Sequence, residues 1–247
     1  MTPDEIASSV AERPLKPLEH ILTGRTLEAV TAIEASARMI PLEDLTILAN
    51  IVDRLKPVRS YEVGLLSGSS AVTIMAAKPA GAGVLHIACD PYQTSLYDGR
   101  ALKVISDLGF ADRFRFAEEA AHASMPKVLA EDGQVQDLVF LDGNHKFDYT
   151  LVEWFFADKM IRVGGVVVFD DCHYPMVQAV ANFVEANCPY RFVRFNDRTW
   201  AAIKMAQDKR SWMDFTPFAV PFEDHHRRLL DAARATKAAK RTSTDQG

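Results

Sequence analysis

The stretch from Asp137 to Cys172 gathers four side chains able to do chemistry: Asp142, His145, Asp170 and Asp171. It opens with DLVFLDGNHKFDY and closes with IRVGGVVVFDDCH. Each apolar run ends in acid, the first at Asp142 with His145 three residues on, the second at the Asp170–Asp171 pair. If the runs are neighbouring parallel strands, three carboxylates meet at one sheet edge with an imidazole beside them. Three carboxylates and water suit a hard divalent ion, Mg²⁺ before Zn²⁺, so Asp142, Asp170 and Asp171 are candidate metal ligands. Such an ion could bind a substrate hydroxyl, lower its pKa and orient it. His145 could take the proton, because a neutral imidazole is available near pH 7. Lys146 is the second candidate base. The structural alternative is that strand-end acids cap helices and DGNH is a plain turn. Asp148 reads as a helix-start acid. A zinc site has no support: no His-x-x-x-His pair exists and Cys172 is the only soft neighbour.

A second group lies upstream, where the loop Glu62-Val63-Gly64-Leu65-Leu66-Ser67-Gly68-Ser69-Ser70 separates an apolar run from a helical one. Its glycines let the backbone approach a ligand, and the next helix offers free N–H groups at its start. Asp90 ends the following apolar run, where an acid can take both hydroxyls of a ribose. A tight β–α turn with a capping acid is the plainer reading of the same residues. Neither GxGxxG nor GxxxxGK[ST] occurs; the loop reads ExGxxxGxS.

These residues need a scaffold that aligns strand ends, and hydrophobic periodicity predicts one. Strands are expected at Val58 to Val63, Val84 to Cys89, Arg113 to Ala117, Leu138 to Leu141 and Val166 to Phe169. Helical patterns lie between them: from the glycine loop to Ala77, Tyr97 to Leu108, His122 to Ala130 and Phe147 to Arg162. A helix from Pro175 to Ala186 follows. Tyr190 to Phe195 and Thr199 to Met205 then flank only Asn196-Asp197-Arg198, a hairpin signal. The alternation predicts an α/β doubly wound sheet that ends in an antiparallel hairpin, with ligands at the carboxyl ends of its strands. Two helices, Leu27 to Met39 and one opened by Pro41, precede the first strand. They could cover the sheet, form a lid or make a dimer contact. Three regions follow: residues 1–41 as a helical arm or lid, 42–205 as the ligand-binding domain, and 206–247 as an appendix. The appendix has a weak helix near His225 to Lys240 and a flexible tail, RTSTDQG.

Composition narrows the function classes. The net charge is −5, which gives no reason to expect nucleic acid or an anionic membrane as partner. The late basic residues, Arg227 to Arg241, read as a solvated helix face. The opening residues, with early acids and no apolar stretch, do not read as a signal peptide, and no run approaches the ~20 apolar residues that cross a bilayer. Three cysteines without a CxxC pair fit a reduced, cytoplasmic setting. The segment WMDFTPFAVPF offers surface for a homodimer, or could fold back on its own chain.

From Leu42 to Met205 the chain resembles the class I S-adenosylmethionine-dependent methyltransferases, in its ExGxxxGxS loop, its strand-two acid and its final hairpin. The resemblance implies a Rossmann-like seven-stranded sheet. It implies that Glu62, Gly64, Gly68 and Ser70 surround the methionine end of the cofactor, that Asp90 takes the ribose, and that Asp142 borders the same site. The loop near Glu118 and Glu119 would pass the adenine. Within that family, FLDGNHKFDY and VVVFDD resemble the metal-dependent O-methyltransferases, both the catechol type and the bacterial sugar-modifying type. The catechol type has Lys three residues after the first acid, where some sugar-modifying members have His. The resemblance implies an Mg²⁺-dependent O-methyltransferase with His145 as base and a small hydroxylated acceptor: a sugar, a catechol or another diol. Two other readings stay open. One is a metal-independent methyltransferase acting on nitrogen or a carboxylate; the other is a non-catalytic module that keeps the fold. Trp200, Trp212, Phe215 and Phe218 are candidate aromatic gatekeepers only by type and position.

Overall fold

Seven runs rich in β-branched and aromatic residues form one sheet in the computed structural model, which describes residues 1–37, 40–79, 81 and 83–221. The strands are β1 (Arg59–Val63), β2 (Leu85–Cys89), β3 (Phe114–Ala117), β4 (Gln136–Leu141), β5 (Ile161–Phe169), β6 (Tyr190–Arg194) and β7 (Trp200–Lys204). Their order is 3-2-1-4-5-7-6; β1 to β5 run parallel, while β7 is antiparallel to both β5 and β6. Eight α-helices among the described residues surround them: α1 (Pro3–Ala11), α2 (Gly24–Ala37), α3 (Leu42–Leu55), α4 (Ser69–Ala77), α5 (Arg100–Asp107), α6 (Ala121–Asp132), α7 (Phe147–Met160) and α8 (Pro175–Asn187). This is the expected α/β doubly wound, Rossmann-like sheet with a terminal hairpin.

Alternation along each strand sorts the core into two layers. Val139, Leu141, Val167 and Phe169 share one core with residues of α6, α7 and α8. Leu138, Phe140, Val166 and Val168 pack on the other face with α1, α3 and α4. Each fully buried side chain of this size contributes about 1.5–3 kcal/mol relative to exposure, so β4 and β5 anchor the sheet. Helix α1 opens with a capping box between Thr2 and Glu5 and buries Ile6, Ala7 and Val10. Both α1 and α3 therefore cover one face of the sheet.

Several element boundaries differ from the sequence reading. Helix α7 stops at Met160, and β5 begins at Ile161 rather than Val166. The Gly164–Gly165 pair, which by composition alone suits a turn, lies inside the strand. Its place coincides with a register shift against β4 between Gln136 and Leu138, and Gly164 has φ +82°. Glycine tolerates that irregular backbone without ending the strand. Helix α5 starts at Arg100 rather than Tyr97, because the residues before it form turns. The weak helix expected near His225 to Lys240, the tail and the end of the Leu27 to Met39 helix lie outside the described residues. No described helix is long and apolar enough to cross a membrane.

Candidate active site

Strand register assembles the site. Val63, Cys89, Leu141 and Phe169 are partners across β2, β1, β4 and β5. The residues that follow them, Gly64, Asp90, Asp142 and Asp170, therefore emerge on one edge. The ladder continues one residue further: Gly64 N donates to Cys89 O at 2.9 Å, Asp142 N to Val63 O at 3.1 Å, and Asp170 N to Leu141 O at 3.1 Å. A cavity of about 490 Å³ opens there, lined by the glycine loop on one side and by Asp142, His145, Asp170 and Asp171 on the other.

The glycine loop is packed against the β4 turn. A Cβ at Gly64 would sit 2.1 Å from Asp142 O, and its φ of +85° already excludes most side chains. Gly64→Ala should destabilise the fold by roughly 2–4 kcal/mol in urea unfolding, through overpacking against backbone and a strained φ. Gly68 precedes α4 and faces Ala101 rather than the cavity. Glu62 is fully buried and does not line the cavity either; burial pushes its carboxyl well up, and its two oxygens meet Ser70 Oγ and His86 Nε2. Ser70 lines the cavity while its hydroxyl donates to Glu62. Asp90 also lines the cavity and ties down the loop: Oδ2 accepts from Leu65 N and Leu66 N at 3.1 and 2.8 Å, and Oδ1 from Tyr92 N at 2.8 Å. Glu118 accepts from Thr94 N and Oγ1 and does not line the cavity.

Across the cavity, His145 Nε2 lies 3.1 Å from Asp142 Oδ1 and 3.3 Å from Asp171 Oδ2. Asp142, His145 and Asp171 each offer a ligand atom within 4.8 Å of the others. Asp170 is not part of that group. It is 2% exposed, and Thr199 Oγ1 lies 3.5 Å from its Oδ1. His145 and Asp171 have left-handed backbones, φ 57° and 56°. Such a conformation costs roughly 1–2 kcal/mol per residue, and it aims both side chains at the same point. Arg198, in the β6–β7 turn, pairs through Nη2 with Asp171 Oδ1, while its Nε donates to Asp44 Oδ2 on α3 at 2.8 Å.

Charge is unevenly matched here. Burial, then Asp142, Asp171 and Asp44, hold the Asp170 carboxyl well above its usual range. Burial opposes a charge on His145, but its hydrogen bond to Asp142 and the Asp142, Asp171 and Glu153 carboxylates together raise it above an ordinary imidazole. Asp142, Glu153, Asp170 and Asp171 all line the cavity, against Arg198 and His145 on the cationic side. A donor set short of positive charge, with atoms this close, fits a divalent cation.

Glu153, on α7, was not singled out from the sequence. It is 3% exposed, and burial, with Asp142 adding, pushes its carboxyl up to about 7. The available signal was a glutamate at a helix position flanked by buried Thr150, Trp154 and Ala157. A raised carboxyl contributes stability that is present below the unfolded pKa and is lost as pH rises through the folded one. In EDTA-treated protein, Glu153→Gln should flatten the loss of thermal stability between pH 5 and 8, an effect on the order of 2–3 kcal/mol.

Other candidates are placed elsewhere. Lys146 is exposed, its ammonium 5.3 Å from the centre of the Tyr149 ring, and it does not line the cavity. Asp148 sits in the first turn of α7. Cys172 is buried, and burial holds its thiol well up, as in an inert core cysteine. Trp200 is a buried β7 residue and Trp212 is 91% exposed. Phe215 and Phe218 pack on Phe183 of α8. None of these four aromatics lines the cavity.

Comparison with known proteins agrees with this arrangement. A family model described as a methyltransferase domain matches residues 61–172, which include Glu62, both loop glycines, Asp90, Asp142, His145 and the paired acids. Catechol O-methyltransferase B of Danio rerio is 26% identical over 198 residues, 76% of this chain and 73% of that protein. Tapetum-specific methyltransferase 1 of Arabidopsis thaliana is 23% identical over 167 residues, 66% of this chain and 68% of that one. Among solved structures, an O-methyltransferase from Bacillus cereus in complex with SAH superposes with a TM-score of 0.60 at 18% identity, covering 76% of this chain and 95% of that one. The O-methyltransferase TomG of Streptomyces achromogenes, in complex with SAM, gives 0.60 at 17% identity, covering 75% and 92%. With the loop, the strand-end acids and the strand order on one scaffold, residues 61–172 match a methyltransferase domain, and the chain is similar in sequence to a catechol O-methyltransferase and in fold to O-methyltransferases solved with SAH or SAM.

Proposed function

We propose that the chain transfers the methyl group of S-adenosylmethionine to a hydroxyl oxygen of a small acceptor, with Mg²⁺ at the acidic edge and His145 as general base. The observation that carries this reading is His145 Nε2 at 3.1 and 3.3 Å from two carboxylates on the cavity wall facing the glycine loop. Asp142 and Asp171 would hold the ion, with Asp170 beside them; when bound, it would lower the acceptor hydroxyl's pKa and fix its orientation. With the ion, rather than the Nε2–H of His145, partnering the Asp142 and Asp171 carboxylates, a neutral His145 would be free to take the hydroxyl proton. Gly64, Ser70 and Asp90 hold the cofactor so that oxygen, methyl and sulfur approach in line, which is a positioning task. Arg198 keeps one oxygen of Asp171 engaged and leaves the other for the site. The relative named for catechol favours a vicinal diol, either aromatic or on a sugar ring. Three free cysteines suit a reducing, cytoplasmic setting.

A metal-independent reading draws on one observation: the Arg198 guanidinium already supplies positive charge beside Asp171. The test is methyl transfer to catechol and to sugar diols with Mg²⁺ and with EDTA. The proposal expects turnover to fall at least ~100-fold in EDTA, since the ion activates and orients the hydroxyl. Turnover that ignores EDTA transfers the role to Arg198. Binding of S-adenosylhomocysteine with no transfer to any acceptor points to a non-catalytic module.

A further inference from the structure

The sheet face beneath α4 carries polar side chains where a doubly wound core expects apolar ones. Ser60 and Glu62 on β1 and His86 on β2 are each 0% exposed, and Ser60 and His86 are register partners. Lys78, the residue after α4, is 6% exposed. Burying such groups is costly unless every one is partnered.

They are partnered in a single line. Lys78 Nζ donates to Leu85 O at 2.7 Å and to Ser60 Oγ at 2.9 Å. Ser60 Oγ lies 2.8 Å from His86 Nδ1, and His86 Nε2 lies 2.9 Å from Glu62 Oε2. The other oxygen of Glu62 accepts from Ser70 Oγ, in the first turn of α4. The Lys78 ammonium can only donate, so with Lys78 charged Ser60 accepts from it and donates to Nδ1. Burial, with Lys78 adding, keeps His86 neutral, which leaves Nε2–H to donate to Glu62. Lys78 needs only two N–H groups for this, so the line holds for the amine or the ammonium.

The line runs beneath α4 from its C-terminal cap to its first turn. Lys78, Ser60, His86 and Glu62 do not line the cavity; Ser70 does. We propose that Lys78, Ser60 and His86 are positioning residues that act through Glu62 to hold the first turn of α4 against the methionine end of the cofactor. This rests on the reading of the glycine loop as the methionine-binding segment.

The experiment compares the binding of S-adenosylhomocysteine and of adenosine, which lacks the methionine end, by titration calorimetry on the full chain. Lys78→Met should weaken S-adenosylhomocysteine about tenfold and leave adenosine within about twofold, as expected when one oriented polar contact is lost. Lys78→Arg should restore most of the loss. Ser60→Ala breaks the same line by one oxygen and serves where Lys78→Met does not fold. Equal weakening of both ligands, or no change in either from a folded variant, overturns the assignment. So does a failure of Lys78→Arg to rescue. Wild-type protein that binds adenosine but gains nothing from the homocysteine part sinks the loop reading itself, and the assignment with it.

Discussion

Replacing His145 by alanine should cut turnover by about 10²- to 10⁴-fold, the usual worth of a positioned general base. The affinity for S-adenosylhomocysteine should stay within about threefold, because the loop contacts that hold the cofactor come from other residues. His145 Nε2 sits between two carboxylates, so its removal takes away both the proton acceptor and a charge partner of Asp142 and Asp171. His145→Gln keeps a polar group there without a basic nitrogen, and should remain as slow as the alanine variant. A glutamine variant with near wild-type turnover would show that polarity, not basicity, matters at this position. Turnover and cofactor affinity falling together would instead mean that His145 holds the site's shape. Its left-handed backbone makes that a fair competitor, and the split between kcat and inhibitor Kd decides it.

The second large effect is expected at Asp142. Its backbone serves the fold: the N–H extends the ladder to Val63 O, and the carbonyl lies against Gly64. Its carboxylate serves the cluster, with Oδ1 facing His145. Asp142→Asn should therefore keep the fold and lose the ion. Binding of an ion to the folded state alone stabilises by RT ln(1 + [L]/Kd), about 2.7 kcal/mol at a hundredfold excess over Kd. Wild-type protein should show that rise in thermal stability on adding Mg²⁺, and Asp142→Asn should show almost none. Turnover in the variant should fall at least ~100-fold, since metal activation and orientation of the hydroxyl go together. An unchanged Mg²⁺ response in Asp142→Asn would remove this carboxylate from the ion's ligand set. A wild type with no Mg²⁺ response at all would leave Arg198 as the cation at this edge.

Much of this was written into local sequence. Apolar runs of strand length, each ended by Gly or acid, determine a parallel sheet whose residues Gly64, Asp90, Asp142 and Asp170 come level at one edge. In a parallel α/β sheet the residues that end such runs lie together at the carboxyl edge. The loop ExGxxxGxS and the step from Asp142 to His145 are equally local. What the tertiary structure decided is which of the aligned groups meet. Asp170 and Asp171 are neighbours in sequence, yet successive side chains at a strand end point apart. The left-handed turn at Asp171 then brings that residue, and not Asp170, to His145. The Gly164–Gly165 pair carried the composition of a turn, and only pairing with β4 shows that the strand runs through it. Arg198 and Asp44 reach the acidic edge from a hairpin turn and from a helix before the first strand. Glu153 reaches it from the inner face of α7, and Lys78 reaches Glu62 through Ser60 and His86. Each of these contacts joins residues with no shared periodicity. Their meeting follows from how helices pack on the finished sheet, which no window of sequence contains.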